Sequence, residues 1–197
     1  MRTSWWCLGL ILGVLCASTV GAAKPKRQGF TGDLGLGASV TVVRETFRIA
    51  ELSSSGVFTD DEVAEVNGHF GLAPLSISLG GFLSPHVAVI GRLAGTSYWT
   101  SSGTQLAHTF VGPAVEVWPI DRLYLSGGAG FSVWGPSAFA SNTSRDPKVG
   151  FGLDFRVGAA LINAEGNDFT VSLEVNPGFY GEDTLTGFGL VGAWKWY

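Results

Sequence analysis

From residue 30 to its end the chain alternates apolar residues with small or polar ones, segment after segment. A period of two means β-strand, because successive side chains on a strand point to opposite faces. The last segment shows it plainly. Phe188, Leu190, Trp194 and Trp196 share one face, and Gly187, Gly189, Ala193 and Lys195 share the other. Eight such segments are predicted, at 30–43, 70–83, 87–98, 106–118, 123–134, 149–162, 169–179 and 186–197. The sixth is the cleanest, with Val149, Phe151, Leu153, Phe155 and Val157 set against Gly150, Gly152, Asp154, Arg156 and Gly158. Pro74 and Pro113 interrupt the second and fourth segments. A bulge at either would shift the phase, so the facing there stays open.

The connections alternate in length. Ser84-Pro85-His86, Pro119-Ile120-Asp121 and the hairpin turn at 163–167 are tight, whereas 44–67 and 135–148 are long. Tight periplasmic turns opposite longer external loops are the signature of outer-membrane barrels. An even strand count also returns both chain ends to the periplasmic side. The predicted fold is all-β: an eight-stranded antiparallel up-and-down transmembrane β-barrel over 30–197.

Alternation alone does not say which face points outward. A lipocalin-like soluble barrel would turn its apolar face inward around a ligand. Two features favour the membrane. The second face is mostly Gly, Ser, Thr and Ala, a poor water-facing surface but a good lining for a narrow lumen. Aromatics also collect near strand ends, with Phe30, Phe169, Trp194 and Trp196 at one and Trp99, Phe151, Phe179 and Phe188 at the other. Two girdles are what membrane interfaces select.

Composition agrees with that reading. Only 14% of residues are charged, against roughly 25% in soluble domains. Net charge is −4, and the one basic cluster is Lys24-Pro25-Lys26-Arg27, so no face is prepared for nucleic acid. Ahead of that cluster, Arg2, the apolar run 5–14 and the small-residue stretch 17–23 have the order of a secretory signal. Residues 1–23 are therefore read as a cleaved signal, cut after Ala22 or Ala23, and 24–29 as a short basic N-terminal segment. A lipoprotein signal at Cys16 is the competing reading, although Leu15 stands where Gly, Ala or Ser is needed. Both cysteines, Cys7 and Cys16, fall inside the signal. The mature chain would then close its fold without disulfides or thiol metal ligands.

Together, the signal, the eight amphipathic strands, the cysteine-free mature chain and the terminal aromatic resemble the small outer-membrane barrels of the OmpA-like and OmpX-like kind. The resemblance implies a last strand read by the barrel-assembly machinery through a glycine and alternating aromatics ending in an aromatic. Gly192 and Tyr197 match that pattern. Lys195 stands at an expected aromatic, with Trp194 and Trp196 displaced by one. The other partners implied are outer-membrane lipid and lipopolysaccharide, with the barrel a monomer.

With the apolar face outward, Asp33, Arg92, Glu116, Asp154, Arg156, Glu174 and Lys195 point inward. Charge in a narrow lumen is costly unless paired. If the 163–167 turn pairs Ile162 with Asp168, Arg156 falls opposite Glu174, with Arg92 and Asp154 at similar height. The expectation is a structural plug in which Arg92, Asp154, Arg156 and Glu174 lock together. The alternative is a narrow channel that opens when this cluster rearranges.

The third reading is a lipid A acyl-modifying enzyme, since some eight-stranded outer-membrane barrels carry that activity. Ester cleavage needs a nucleophile beside a base and an acid to orient the base. The lipid A deacylases carry His-x-Ser on one strand. Here His69, His86 and His108 are followed two places on by Gly71, Ala88 and Phe110. His108, inward near the external end with Thr109, Ser101 and Ser102 close in sequence, is the best base, and a histidine bonded to lumen hydroxyls is its plainer reading. Asp60-Asp61-Glu62 with Glu65 lacks calcium-loop spacing and reads as a solvated acidic loop. Asn142-Thr143-Ser144 matches a glycosylation acceptor by chance alone in a bacterial setting. No enzyme activity, cofactor or metal is expected. The function read from the sequence is a charge-plugged outer-membrane barrel acting structurally or through its external loops.

Overall fold

The computed structural model describes residues 27–52, 58–100, 103–137, 146–164 and 166–197. Their eight antiparallel strands are β1 (Phe30–Leu52), β2 (Phe58–Ser84), β3 (Val87–Trp99), β4 (Gln105–Ile120), β5 (Leu123–Pro136), β6 (Lys148–Ala164), β7 (Asn167–Tyr180) and β8 (Asp183–Trp196). Each pairs with its neighbours in sequence, and β1 closes the ring on β8. The closing ladder runs from Gly32 opposite Trp196 to Arg44 opposite Thr184. Closure leaves the barrel wall no free edge, so its backbone groups are satisfied without water.

The faces are the inverse of a soluble domain. Leu36, Leu79, Phe131, Phe155, Leu173 and Leu190 stand exposed on the outer wall, while Thr31, Ser78, Ser126, Thr170 and Ser172 are buried inside. Such an outer wall fits hydrocarbon, and the small inner residues fit the bore of an eight-stranded ring. No described helix is long and apolar enough to cross a membrane.

The connection at 44–67, expected as a loop, is strand for most of its length. β1 and β2 pair with each other from Arg44 opposite Val66 to Leu52 opposite Phe58. β3 joins β2 only from Gly71 opposite Tyr98, and β8 leaves β1 at Arg44. The extension is thus a two-stranded ribbon beyond the rim. Thr46, Phe47, Ile49, Val63 and Val66 are β-formers, and the two segments supply each other's backbone partners. Asp60-Asp61-Glu62 lies on its returning strand, with its side chains outside the described part.

The two prolines behave differently. Gly35 pairs with Ser76 and Gly37 with Ala73, so Pro74 and Leu75 together oppose Leu36 in a bulge. The inward set on β2 changes parity there, from Ala73 to Ser76 and Ser78. Proline has no N–H to lose from the ladder, which suits it to a bulge. Pro113 pairs with Gly91 and shifts nothing; Phe110, Ala114, Glu116 and Trp118 all stay inside.

The β6–β7 turn is tighter than the expected 163–167, and the pairing at its base is offset by one residue on β6. Asn163 pairs with Asp168, and Ala164 with Asn167. Gly166 takes φ +78°, a left-handed value that glycine adopts at no steric cost. Between Ala160 and Ile162 the ladder slips by one, placing Leu161 and Ile162 both outward. That bulge absorbs the offset, so Arg156 faces Glu174 all the same.

Large inward side chains require glycines opposite them. A Cβ on Gly158 would lie 2.3 Å from Tyr124 Cζ, whereas one on outward-facing Gly127 would come no nearer than 3.9 Å to Phe155. Gly158→Ala is expected to cost about 1–3 kcal/mol through overpacking, and Gly127→Ala less than about 0.5 kcal/mol. Urea refolding titrations of the two variants check this, and equal losses would contradict it.

The packed lumen as candidate functional site

The inward faces stack into layers along the barrel axis. At the centre lie the charges, with Asp33 of β1 as common acceptor. Its Oδ2 accepts from Arg156 Nη1 and from Lys195 Nζ, each at 3.1 Å, and its Oδ1 accepts from Ser78 Oγ at 2.9 Å. Arg92 Nη1 lies 3.6 Å from the same Oδ1. Glu116 Oε2 accepts from Arg156 Nη2 and Lys195 Nζ, both at 2.8 Å. Trp118 Nε1 donates to Glu116 Oε1 at 2.8 Å.

A second group shares Arg92. Its Nη2 is 2.6 Å from Glu174 Oε1, and its Nε is 3.6 Å from Asp154 Oδ2. Ser76 Oγ accepts from Arg92 Nη1 at 2.8 Å and donates to Glu174 at 3.2 Å. Asn176 Nδ2 donates to Asp154 Oδ1 at 2.6 Å. All seven ionisable residues are buried.

The pairing differs from the expectation in one respect. Arg156 and Glu174 are register partners, yet Arg156 bonds Asp33 and Glu116, and Glu174 forms its ion pair with Arg92. Register partners on adjacent strands project side by side toward the axis. A long guanidinium in a narrow bore therefore reaches carboxylates on the facing wall. Arg92, Asp154 and Glu174 come together; Arg156 belongs with Asp33, Glu116 and Lys195, and Arg92 joins the two groups at Asp33.

Toward the end with the longer connections is a neutral polar layer. His108 Nε2 and Ser132 Oγ are 2.7 Å apart, and Ser132 Oγ and the Tyr180 hydroxyl are 2.6 Å apart. Thr41 Oγ1 donates to Thr96 Oγ1 at 3.1 Å. Thr109 falls on the other face of β4, and Ser101, Ser102 and Asn142-Thr143-Ser144 lie outside the described residues. Above this layer Val43, Tyr98, Leu106, Trp134, Tyr180 and Leu185 form an apolar cap. Trp134 Nε1 donates to the Tyr98 hydroxyl at 2.9 Å within it.

The opposite end is closed by Trp118, Tyr124 and Ala160, with Phe82 against them. Tyr197 meets Phe82 edge-on, with centroids 6.2 Å apart. Of the other residues singled out on β8, Trp194 stands exposed on the outer wall. Gly192 faces the Phe169 ring, and the Trp196 ring lies over Gly32. His86, in the β2–β3 turn, places Nδ1 3.0 Å from the Trp118 carbonyl, and His69 stacks on Tyr98 at 4.9 Å. Among the described residues no group of three or more His, Cys, Asp or Glu could hold a metal ion.

Ser132, Tyr180, Ser76 and Ser78 were not singled out from the sequence. Ser132 shares the parity of Ser126 and Trp134 on β5, so the inward phase carried the only available signal. Which lumen hydroxyls meet depends on the stagger between strands, and that is set by register shifts at Leu72/Ser76, Phe82/Ser84, Val117/Ile120 and Ala160/Ile162.

The Ail attachment invasion locus protein of Yersinia pestis superposes on the chain with TM-score 0.50 at 10% identity, covering 86% of this chain and 100% of Ail. The fold is that of the small eight-stranded outer-membrane β-barrels. Neisserial surface protein A matches at 13% identity and TM-score 0.48, over 85% of this chain and 96% of its own. The outer-membrane protein OprG of Pseudomonas aeruginosa matches at 10% identity and TM-score 0.47, over 89% of this chain and 100% of its own. No protein-family model matches the sequence, and no curated protein matches it.

Within this barrel the observed pairing sets the coupling pattern. Arg156→Met with Glu116→Gln is expected to show a coupling of about 1–3 kcal/mol, and Arg156→Met with Glu174→Gln less than about 0.5 kcal/mol. Double-mutant cycles from urea refolding read both values. A larger coupling to Glu174 would place the ion pairs wrongly.

Proposed function

We propose that this chain is an integral outer-membrane protein, exported by a signal over residues 1–23 that is cleaved after Ala22 or Ala23, with a filled lumen. Its role is structural, or is exerted on partners through the external ribbon and connections. The supporting observation is the layering: a buried charge network lies between an apolar cap at one end and an aromatic closure at the other. An eight-stranded bore is just wide enough for side chains to fill, and this one is occupied along its length. Outer-membrane lipid and lipopolysaccharide surround such a barrel, which works as a monomer and takes no nucleic acid. The barrel-assembly machinery would read Gly192, Trp194, Trp196 and Tyr197.

Single-channel recording of the refolded protein in a planar bilayer tests the reading, with a heat-modifiable gel shift as folding control. Folded protein is expected to give no steady conductance. A steady conductance altered by Arg92→Ala or Arg156→Ala would instead make the narrow channel the leading function. Tyr197→Ala is expected to slow appearance of the heat-modifiable form in cells, and unchanged kinetics would remove Tyr197 from the assembly signal.

One observation bears on the enzyme reading. Ser132 and His108 have nucleophile–base spacing, as acyl transfer requires. They are 0% and 1% exposed beneath the cap, however, and His108 Nδ1 has no hydrogen-bond partner among the described residues. A base without an orienting acid, behind a closed cap, favours the non-enzymatic reading. Unchanged lipid A mass in cells carrying His108→Ala is the expected result.

A further inference from the structure

Arg27 lies ahead of the first strand, in a segment that carries no barrel pattern, yet it is 1% exposed. Gly29, at φ +78°, turns the chain back from β1, and its carbonyl accepts from the Phe82 amide at 2.8 Å. The Arg27 guanidinium then meets the wall opposite β1 in the ring. Its Nη2 donates to the carbonyl of Asp121, in the β4–β5 turn. Its Nη1 is 4.0 Å from the Asp121 carboxylate, itself 43% exposed. The Arg27 Cζ sits 3.7 Å from the Trp118 ring centroid and 5.5 Å from that of Tyr197. Asp168 is buried at the same end of the barrel.

A guanidinium removed from water is costly unless its charge and donors are met. Here the flat Trp118 face and the Asp121 carbonyl and carboxylate meet most of that cost together, while Nε has no hydrogen-bond partner among the described residues. Planar stacking with directed N–H donors selects guanidinium over a compact ammonium. The site also connects inward, because Trp118 donates to Glu116, which holds Arg156 and Lys195.

We propose that the short-turn mouth of the barrel is a guanidinium receptacle whose ligand is Arg27 of the same chain, making residues 27–29 a tethered stopper. The stopper spans the mouth from the β1 side to the β4–β5 turn. It seals the aromatic layer from the periplasm, and a vacated receptacle would accept a guanidinium group in trans. This inference rests on the membrane orientation proposed above. Wild-type conductance tests the filled lumen separately, since a filled lumen stays non-conducting with or without the stopper.

The test uses the full chain with Cys7→Ser and Cys16→Ser, folded in outer membranes. Ala160→Cys, packed with Trp118 and Tyr124 in the aromatic closure, reports access from the mouth, and exposed Ser84→Cys normalises reagent activity. Iodoacetamide labelling is expected to be slow in Ala160→Cys and about tenfold faster once Arg27→Ala is added, the factor that one desolvated cation–π contact supplies. Millimolar ethylguanidinium is expected to slow it again, with ethylammonium having little effect. Equal rates with and without Arg27 would overturn the stopper, and equal protection by the two cations would overturn the guanidinium receptacle. If Arg27→Ala does not reach the heat-modifiable form, Arg27→Lys carries the test. It keeps the charge without the planar face, so its labelling is expected to quicken, and an unchanged rate overturns the proposal.

Discussion

Asp33 holds three cations at once, and the rest of the interior is arranged around that fact. Its carboxylate, on β1, accepts from β6 through Arg156 and from β8 through Lys195. It also accepts from β2 through Ser78 and lies beside Arg92 of β3. A single buried acid thus ties together strands that are distant in sequence. In a low-dielectric bore such an acid is tolerable only when its partners are all present, so these strands must close in one register or not at all. The ladder between β1 and β8 is a backbone matter, but Asp33 opposite Lys195 supplies a side-chain reason for that stagger.

The remaining volume follows from the same confinement. A closed ring of eight strands has a fixed bore, so each bulky inward group needs a small one facing it. Gly158 leaves room for Tyr124, and Gly178 for the meeting of His108, Ser132 and Tyr180. Gly187 does the same for Thr96. Glycine is therefore abundant for reasons of space on the inner wall, and the left-handed backbone at Gly29 and Gly166 is a separate demand.

What was legible in the sequence was whatever depends on parity alone. Phe151, Phe155 and Val157 out, Asp154 and Arg156 in, follows from strand pleat without any knowledge of neighbours. Strand number, closure and the inward charges are of this kind. What was not legible depends on stagger and reach. The partner of Arg156 could not be read from its register neighbour, because a side chain that crosses the bore answers to the far wall. The 44–67 ribbon was hidden because its residues do not alternate cleanly between apolar and polar. Arg27 was hidden for a different reason: it precedes the alternating pattern altogether, and its burial comes from a turn at Gly29 and an aromatic face some ninety residues away.

A barrel filled in this way places its chemistry at its ends. The outer wall offers lipid a nearly uniform apolar surface, and the middle of the bore is committed to mutual neutralisation of its own charges. A substitution there must satisfy every partner at once, which leaves the central layer little freedom to recognise anything else. The β1–β2 ribbon carries no such burden, because its two strands pair with each other beyond the rim. Recognition of a partner can therefore change there without disturbing Asp33 and its cations. The short-turn mouth is the exception among the tight ends. Its ligand is supplied by the chain itself, and through Trp118 and Glu116 its occupancy reaches the one network on which closure of the ring depends.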